Sequence, residues 1–244
     1  MTKFVYIDIG THFGQEFQSI FGRDHYFFLK IIRRMLGYYI FNRGDELNFT
    51  EIKQLYSLRK KIRSVKKNFA FYFIEANSDI VRNCKIYKEA QGVFNCALTN
   101  DINSNITKLY LANNDRLSQG SSILSIKKNV SVKNFMITIG IQCDSFFYSL
   151  KKYLDESKTE YKVILRLNCE GMEDDAIYAA KKIFQERLVL TMGSLKDVKE
   201  LKGNLEYDKL IKFLNNNSLQ FVSFSSLVSS WKEAFISINR IIKN

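Results

Sequence analysis

The chain has 244 residues, 46% of them hydrophobic and 25% charged, and carries a formal net charge of +12 with a pI near 9.4. That length holds one large domain with a substantial core and is short for two, so a single domain over 1–244 is expected. The composition is that of an ordinary soluble globule, and no run of about 18 or more apolar residues is present to span a membrane.

The opening "MTKFVYIDIG" lacks the basic segment, apolar stretch and small-residue site of a signal peptide, so a cytoplasmic protein is expected. Cys84, Cys96, Cys143 and Cys169 stand far apart and form no Cys-x-x-Cys pair, so no metal site is expected from them. The positive surplus favours anionic partners such as nucleic acid, acidic glycans or phosphorylated carriers. It also accords with a Lys- and Asn-rich coding bias, in a chain with no proline at all.

In chain order, residues 3–9 form a short apolar run closed by Gly10, which predicts a buried strand, and helical signals follow from about Gln15. Residues 22–67 break the rhythm, with twelve Lys/Arg against four Asp/Glu and eight interleaved aromatics. Connections between elements are usually a few residues long. This island is therefore expected to be an insertion folding as its own helical lid, with helices near 24–41 and 50–64.

Alternation then resumes. Strands are expected at 69–77, 92–98, 106–112, 135–142, 161–168, 187–192 and 219–224. Helices are expected at 78–90 (with Ser78 as N-cap), 144–157, 171–184 and 205–216, and from about Leu227 onward. Strands alternating with helices predict an α/β fold with a doubly wound, mostly parallel sheet. Ligands of such sheets sit at the carboxyl ends of strands, where the strand order reverses. The residues to watch are Asp8–Gly10, Glu75–Asn77, Cys96–Ala97 and Asn168–Gly171.

Gly10 and Gly14 can adopt backbone angles closed to other residues and let the chain approach a ligand closely. Their Gly-x-x-x-Gly spacing is neither the dinucleotide fingerprint nor a phosphate loop, so a ligand without phosphate fits better than NAD or ATP. Glu75 can accept hydrogen bonds from both hydroxyls of a ribose, and Asp8 can orient a cationic or amide-bearing tail.

The ordered segments "DIGTHFG", "FIEAN", "NCAL", "LYLANNDRLSQGSSIL" and "LRLNCEGME" resemble the FkbM family of S-adenosylmethionine-dependent methyltransferases. The likeness runs from Phe4 to about Phe184 and skips the 22–67 island. It implies a Rossmann-like class I methyltransferase fold with S-adenosyl-L-methionine as cofactor. By that resemblance Asp8, Gly10, Thr11 and Gly14 belong to the cofactor loop, with Thr11 and His12 in place of the usual Ala and Asn. Glu75 is the ribose acid, Ala76 and Asn77 follow it, and Ala76 stands where the family has Pro. Cys96 and Ala97 fall where the adenine would pack. Ser121 and Ser122 match the family's Ser-Ser hairpin, and Glu170, Gly171 and Glu173 its E-G-x-E segment.

Asn168 occupies the family's Asp, and an amide takes no proton and binds a cation less well than a carboxylate. Glu170 is then the expected base or substrate-orienting group, with His12 second. The chemistry asks mainly for in-line alignment of acceptor oxygen, methyl carbon and sulfur, which can supply about 7–11 kcal/mol. The resemblance implies O-methylation of a hydroxyl on a sugar, glycan or other small acceptor. Two other readings stand beside it. One is an RNA ribose 2′-O-methyltransferase using the basic island. The other is a catalytically weakened cofactor-binding module, prompted by Asn168.

Overall fold

Six of the seven residues of the first strand, β1 (Lys3–Ile9), are buried, as a strand covered on both faces requires. The computed structural model describes residues 3–42, 46–101, 105–112, 117, 120–225 and 228–243. After β1 come α1 (Gln15–Phe21), α2 (Asp24–Phe41), α3 (Phe49–Ser64), β2 (Phe69–Ile74) and α4 (Ser78–Asn83). The chain continues through β3 (Gly92–Phe94), β4 (Ala97–Thr99), β5 (Ile106–Ala112), β6 (Val130–Gln142) and α5 (Cys143–Asp155). It closes with β7 (Tyr161–Leu167), α6 (Glu173–Phe184), β8 (Leu188–Gly193), α7 (Lys196–Lys202), α8 (Asn204–Asn216), β9 (Phe221–Ser223) and α9 (Trp231–Lys243).

The main sheet has six strands in the order β3-β2-β1-β7-β8-β9, all paired in parallel. The chain works outward from β1 to β3, then crosses back to lay β7 on the other side of β1. The strand order therefore reverses between β1 and β7, which is where a parallel sheet opens a crevice at its carboxyl edge. The protein is an α/β fold whose parallel six-stranded sheet is compatible with a Rossmann-like layout.

Side-chain alternation sorts the helices into two layers. Val5, Ile7 and Ile9 point into a core shared with Phe147 and Leu150 of α5, Ile177 of α6 and Leu210 of α8. Phe4 and Tyr6 point the other way, into a core with Phe17 and Phe21 of α1, Leu55 of α3 and Trp231 of α9.

The 22–67 island does not form a unit of its own. Phe27 and Ile31 of α2 and Leu55 and Ile62 of α3 belong to the second core, together with β1 and β2. Asn239 Nδ2 of α9 donates to Leu58 O at 3.0 Å, which fastens α3 to the last helix. Arg59, fully buried, donates to Ser19 O at 2.7 Å and also engages Gly22 O and Asp24, binding α3 to the α1–α2 corner. Of the island's aromatics Phe27 is buried in the sheet's core and Tyr56 packs partly against it, whereas Tyr26, Phe28, Tyr39, Phe41 and Phe49 are exposed. A capping box between Asn48 and Glu51 starts α3.

Elsewhere the differences are local. The run 92–98 is two strands: Asn95 Nδ2 donates to Glu75 O at 2.8 Å and turns the chain, so that β4 leaves the main sheet. β4 pairs in parallel with β6, which pairs antiparallel with β5, giving a separate group ordered β4-β6-β5. The helix expected at 78–90 ends at Asn83 and continues as a short 3-10 turn over Lys85–Glu89. α7 has no counterpart in the sequence reading. Leu227 and part of the "LYLANNDRLSQGSSIL" segment lie outside the described residues. Among the described residues no helix is long and apolar enough to cross a membrane.

Candidate functional site

At the crevice, Gly10 takes a left-handed φ of 70°, and a Cβ there would stand 2.0 Å from Asn168 O. Its N–H donates to Ile74 O at 2.9 Å, while Asn168 N–H donates to Ile9 O at 2.9 Å. One residue without a side chain thus lets the loops after β1, β2 and β7 close on one another. They enclose a cavity of about 320 Å³.

Glu75, just beyond β2, is held by its own neighbourhood. His12 N–H donates to Oε2 at 2.8 Å and Asn77 N–H to Oε1 at 2.9 Å. Each carboxylate oxygen has a second lone-pair direction left for a ligand hydroxyl. Burial pushes the Glu75 carboxyl above its ordinary value, against the two amides that favour the anion. Asn77 also lines the cavity, and its Oδ1 accepts Asp79 N–H at 3.0 Å as the cap of α4. Ala76 lines the wall, and its carbonyl accepts Thr138 Oγ1–H at 2.9 Å.

Cys96, Ala97 and Leu98 supply an apolar stretch of the wall. Burial pushes the Cys96 thiol up to about 12, so it stays a neutral packing group. Ser121 and Ser122 line the opposite side. Ser121 Oγ accepts Ala112 N–H at 3.2 Å, and Ser122 Oγ–H donates to Glu170 O at 2.8 Å. The two serines tie the segment after β5 to the loop after β7.

Gly10, His12, Glu75, Ala76, Asn77, Cys96, Ala97, Ser121, Ser122, Asn168 and Glu170 are thus gathered on one cavity wall, from parts of the sequence up to 160 positions apart. Asp8, Thr11, Gly14 and Glu173 are not on it. Thr11 Oγ1–H donates to Asp8 O at 2.8 Å. Gly14, left-handed at φ 66°, begins α1 against Ile86. Glu173 is buried behind the wall, where its Oε2 accepts Gly171 N–H at 2.8 Å and burial pushes its carboxyl to about 7.

Asp8, expected to orient a cationic or amide-bearing tail, lies behind the cavity wall with Arg166 of β7 against it. Arg166 Nη1–H donates to Asp8 Oδ1 and to Gly10 O, both at 2.9 Å, and Nη2 lies 3.0 Å from Glu16 Oε2. Arg166 and Glu16 themselves line the cavity. Neither was singled out from the sequence; for Arg166 the visible signal was a charge deep in the apolar strand "YKVILRLN".

Burial raises Asp8 to about 6, leaving it mostly ionised at neutral pH. Burial also pushes Glu16 up, but Arg166 and Lys30 outweigh it and hold the carboxyl below its ordinary value. Asp8 and Glu16 thus flank one guanidinium, Glu75 lies on the same crevice, and acidic side chains outnumber basic ones around it. Such a site favours a ligand of net positive charge. Among the described residues Arg166 Nε–H is buried without a hydrogen-bond partner.

Glu170, the expected base, is differently placed. Its backbone is left-handed at φ 57°, and its carboxylate is ion-paired with Lys127, which lies 3.6 Å from Asp197 as well. A proton acceptor there works only after parting from Lys127. His12 lies on the wall with its carbonyl accepting the Tyr87 hydroxyl at 2.7 Å and its ring edge-on to Phe13.

No family model, curated protein or solved structure matches this chain.

Proposed function

We propose that the chain is an S-adenosyl-L-methionine-dependent O-methyltransferase of class I fold, acting on a hydroxyl of a sugar, glycan or other small acceptor. The observation that carries this reading is Glu75, pinned by two backbone amides on an anionic wall at the point where the strand order reverses. The residues present fit the cofactor. Glu75 would accept the ribose hydroxyls, Cys96 and Ala97 would pack the adenine, and Arg166 Nε–H would meet the carboxylate of the methionine end. The surplus of carboxylates suits the net positive charge of the sulfonium form. When bound, the cofactor would supply a methyl group on a good leaving group.

The chain's own residues then have a positioning task. Gly10 holds the loops shut over the crevice, and Ser121 and Ser122 fix the far wall. Asn168 and Glu170 border the space left for the acceptor. Residues 22–67 form a basic elaboration of one helix layer. Four free cysteines accord with a reducing compartment such as the cytoplasm.

A weakened, cofactor-binding module is favoured instead by the neutral Asn168 and the Glu170–Lys127 pair. Calorimetry with S-adenosylmethionine and S-adenosylhomocysteine tests the donor site, and methyl transfer to a glycan pool separates the two readings. The expectation is one-to-one binding that Glu75→Ala weakens at least about tenfold, with a lowered melting temperature because the His12 and Asn77 amides lose their acceptor. Absence of both heat and melting shift with either nucleoside overturns the donor reading.

A further inference from the structure

α2 presents three different surfaces. Phe27 and Ile31 are buried in the core. Lys30, Arg33 and Arg34 line a second cavity of about 760 Å³, walled on its other side by Gln18 and Ser19 of α1. Phe28, Ile32, Leu36, Tyr39 and Ile40 face solvent. Gln15 lines both this cavity and the one at the sheet edge, so the two adjoin at the start of α1.

The second cavity is unlike the first in charge. Among the described residues no carboxylate lines it. Arg33 and Arg34 take part in no ion pair among the described residues, and Lys30 Nζ, 4.0 Å from Glu16 Oε1, has no hydrogen-bond partner. Three cations at i, i+3 and i+4 share one helix face, and Tyr26 and Phe41 flank them.

We propose that this cavity binds the phosphate or diphosphate of the methyl acceptor, so that the substrate is a phosphorylated sugar or an activated sugar diphosphate. The inference rests on the methyltransferase reading for the word acceptor, and on the cavity alone for the phosphate. Paired guanidinium groups match phosphate oxygens in a fixed fork geometry, and a neighbouring ammonium adds a third donor. The aromatic flanks suit a sugar or base ring. A polynucleotide fits less well. It needs a basic track that follows several phosphates, whereas the three cations of α2 all line the cavity and the outer face of that helix is apolar.

A soluble activated sugar and a lipid headgroup both carry such a phosphate, and the exposed apolar stripe of α2 lies beside the cavity. Calorimetry on the full chain uses inorganic pyrophosphate, a uridine diphosphate sugar and phosphatidylglycerol vesicles as probes. Pyrophosphate is expected to bind, and R33A/R34A to weaken it at least about tenfold while S-adenosylhomocysteine affinity stays unchanged. R33K/R34K is expected to retain part of the binding, since charge remains while the fork is lost. Preference for the nucleotide sugar assigns the phosphate to a soluble acceptor, and pyrophosphate-sensitive vesicle binding assigns it to a headgroup.

No pyrophosphate binding, or binding equal in wild type and R33A/R34A, overturns the proposal. So does single-stranded RNA that outcompetes pyrophosphate with a steep salt dependence. A chain that takes pyrophosphate but not S-adenosylhomocysteine keeps this site and loses the donor reading, and the reverse result removes this site alone.

Discussion

Arg166 Nη1 and Asp8 Oδ1, from residues 158 positions apart, meet at 2.9 Å with both side chains buried at the ends of adjacent strands. Glu16 closes the group from α1, so one guanidinium organises two carboxylates and the Gly10 carbonyl. The crevice is thereby built on a buried charge cluster.

Removing the cation strands the acids. Arg166→Met is expected to cost about 3–5 kcal/mol in urea unfolding, because uncompensated buried carboxylates remain. The double variant Asp8→Asn/Arg166→Met is expected to recover part of that loss. If the two losses simply add, the pair is not coupled and this account of the crevice fails.

The pH dependence follows from Glu173, whose carboxyl burial lifts from 4.5 to about 7. A raised carboxyl value means the folded state keeps its proton longer than the unfolded chain. Its contribution to stability is complete below about pH 4.5 and is lost as the pH rises through about 7, a change of about 3 kcal/mol. Asp8, raised to about 6, acts in the same direction over a lower window. Glu173→Gln cannot ionise, so its stability relative to wild type should increase steadily between pH 4.5 and 7. A difference that stays flat across that range contradicts the assignment.

Gly10→Ala combines a left-handed backbone with a Cβ 2.0 Å from the Asn168 carbonyl. The backbone cost alone is about 1–2 kcal/mol, and relieving the contact must push the β1 and β7 loops apart. The urea midpoint should fall with the slope unchanged. Wild-type stability in this variant would mean that the two loops are not pressed together.

Arg59→Met leaves the Ser19 and Gly22 carbonyls without their buried donor. A loss of about 3 kcal/mol is expected, together with faster proteolysis near residues 22–24. Arg59→Lys should rescue little, since one ammonium cannot span Ser19, Gly22 and Asp24 at once. Full rescue by lysine would show that charge, not the fork, holds the corner.

The sheet was legible because its strands are apolar runs with sharp ends, as at Ile9–Gly10 and Leu167–Asn168. Most crevice residues were legible for the same reason, since they sit at those ends. Reading failed where a partner distant in sequence decides the outcome. Arg59 looks like one more charge on a basic helix until Ser19 and Gly22 are seen around it. Glu16 looks like a first-turn acid until Arg166 meets it. The break between β3 and β4 depends on an Asn95 side chain reaching Glu75 O, which no periodicity reports.

The central position of β1 also has a kinetic side. Its two neighbours are residues 69–74 and 161–167, so the middle of the sheet stays open on one edge until the second of these has been synthesised. At ribosomal rates that is a wait of roughly 8–30 s for residues 3–9. Throughout it an apolar ribbon has one side without a mate, which makes nascent-chain aggregation the hazard and chaperone capture the natural remedy.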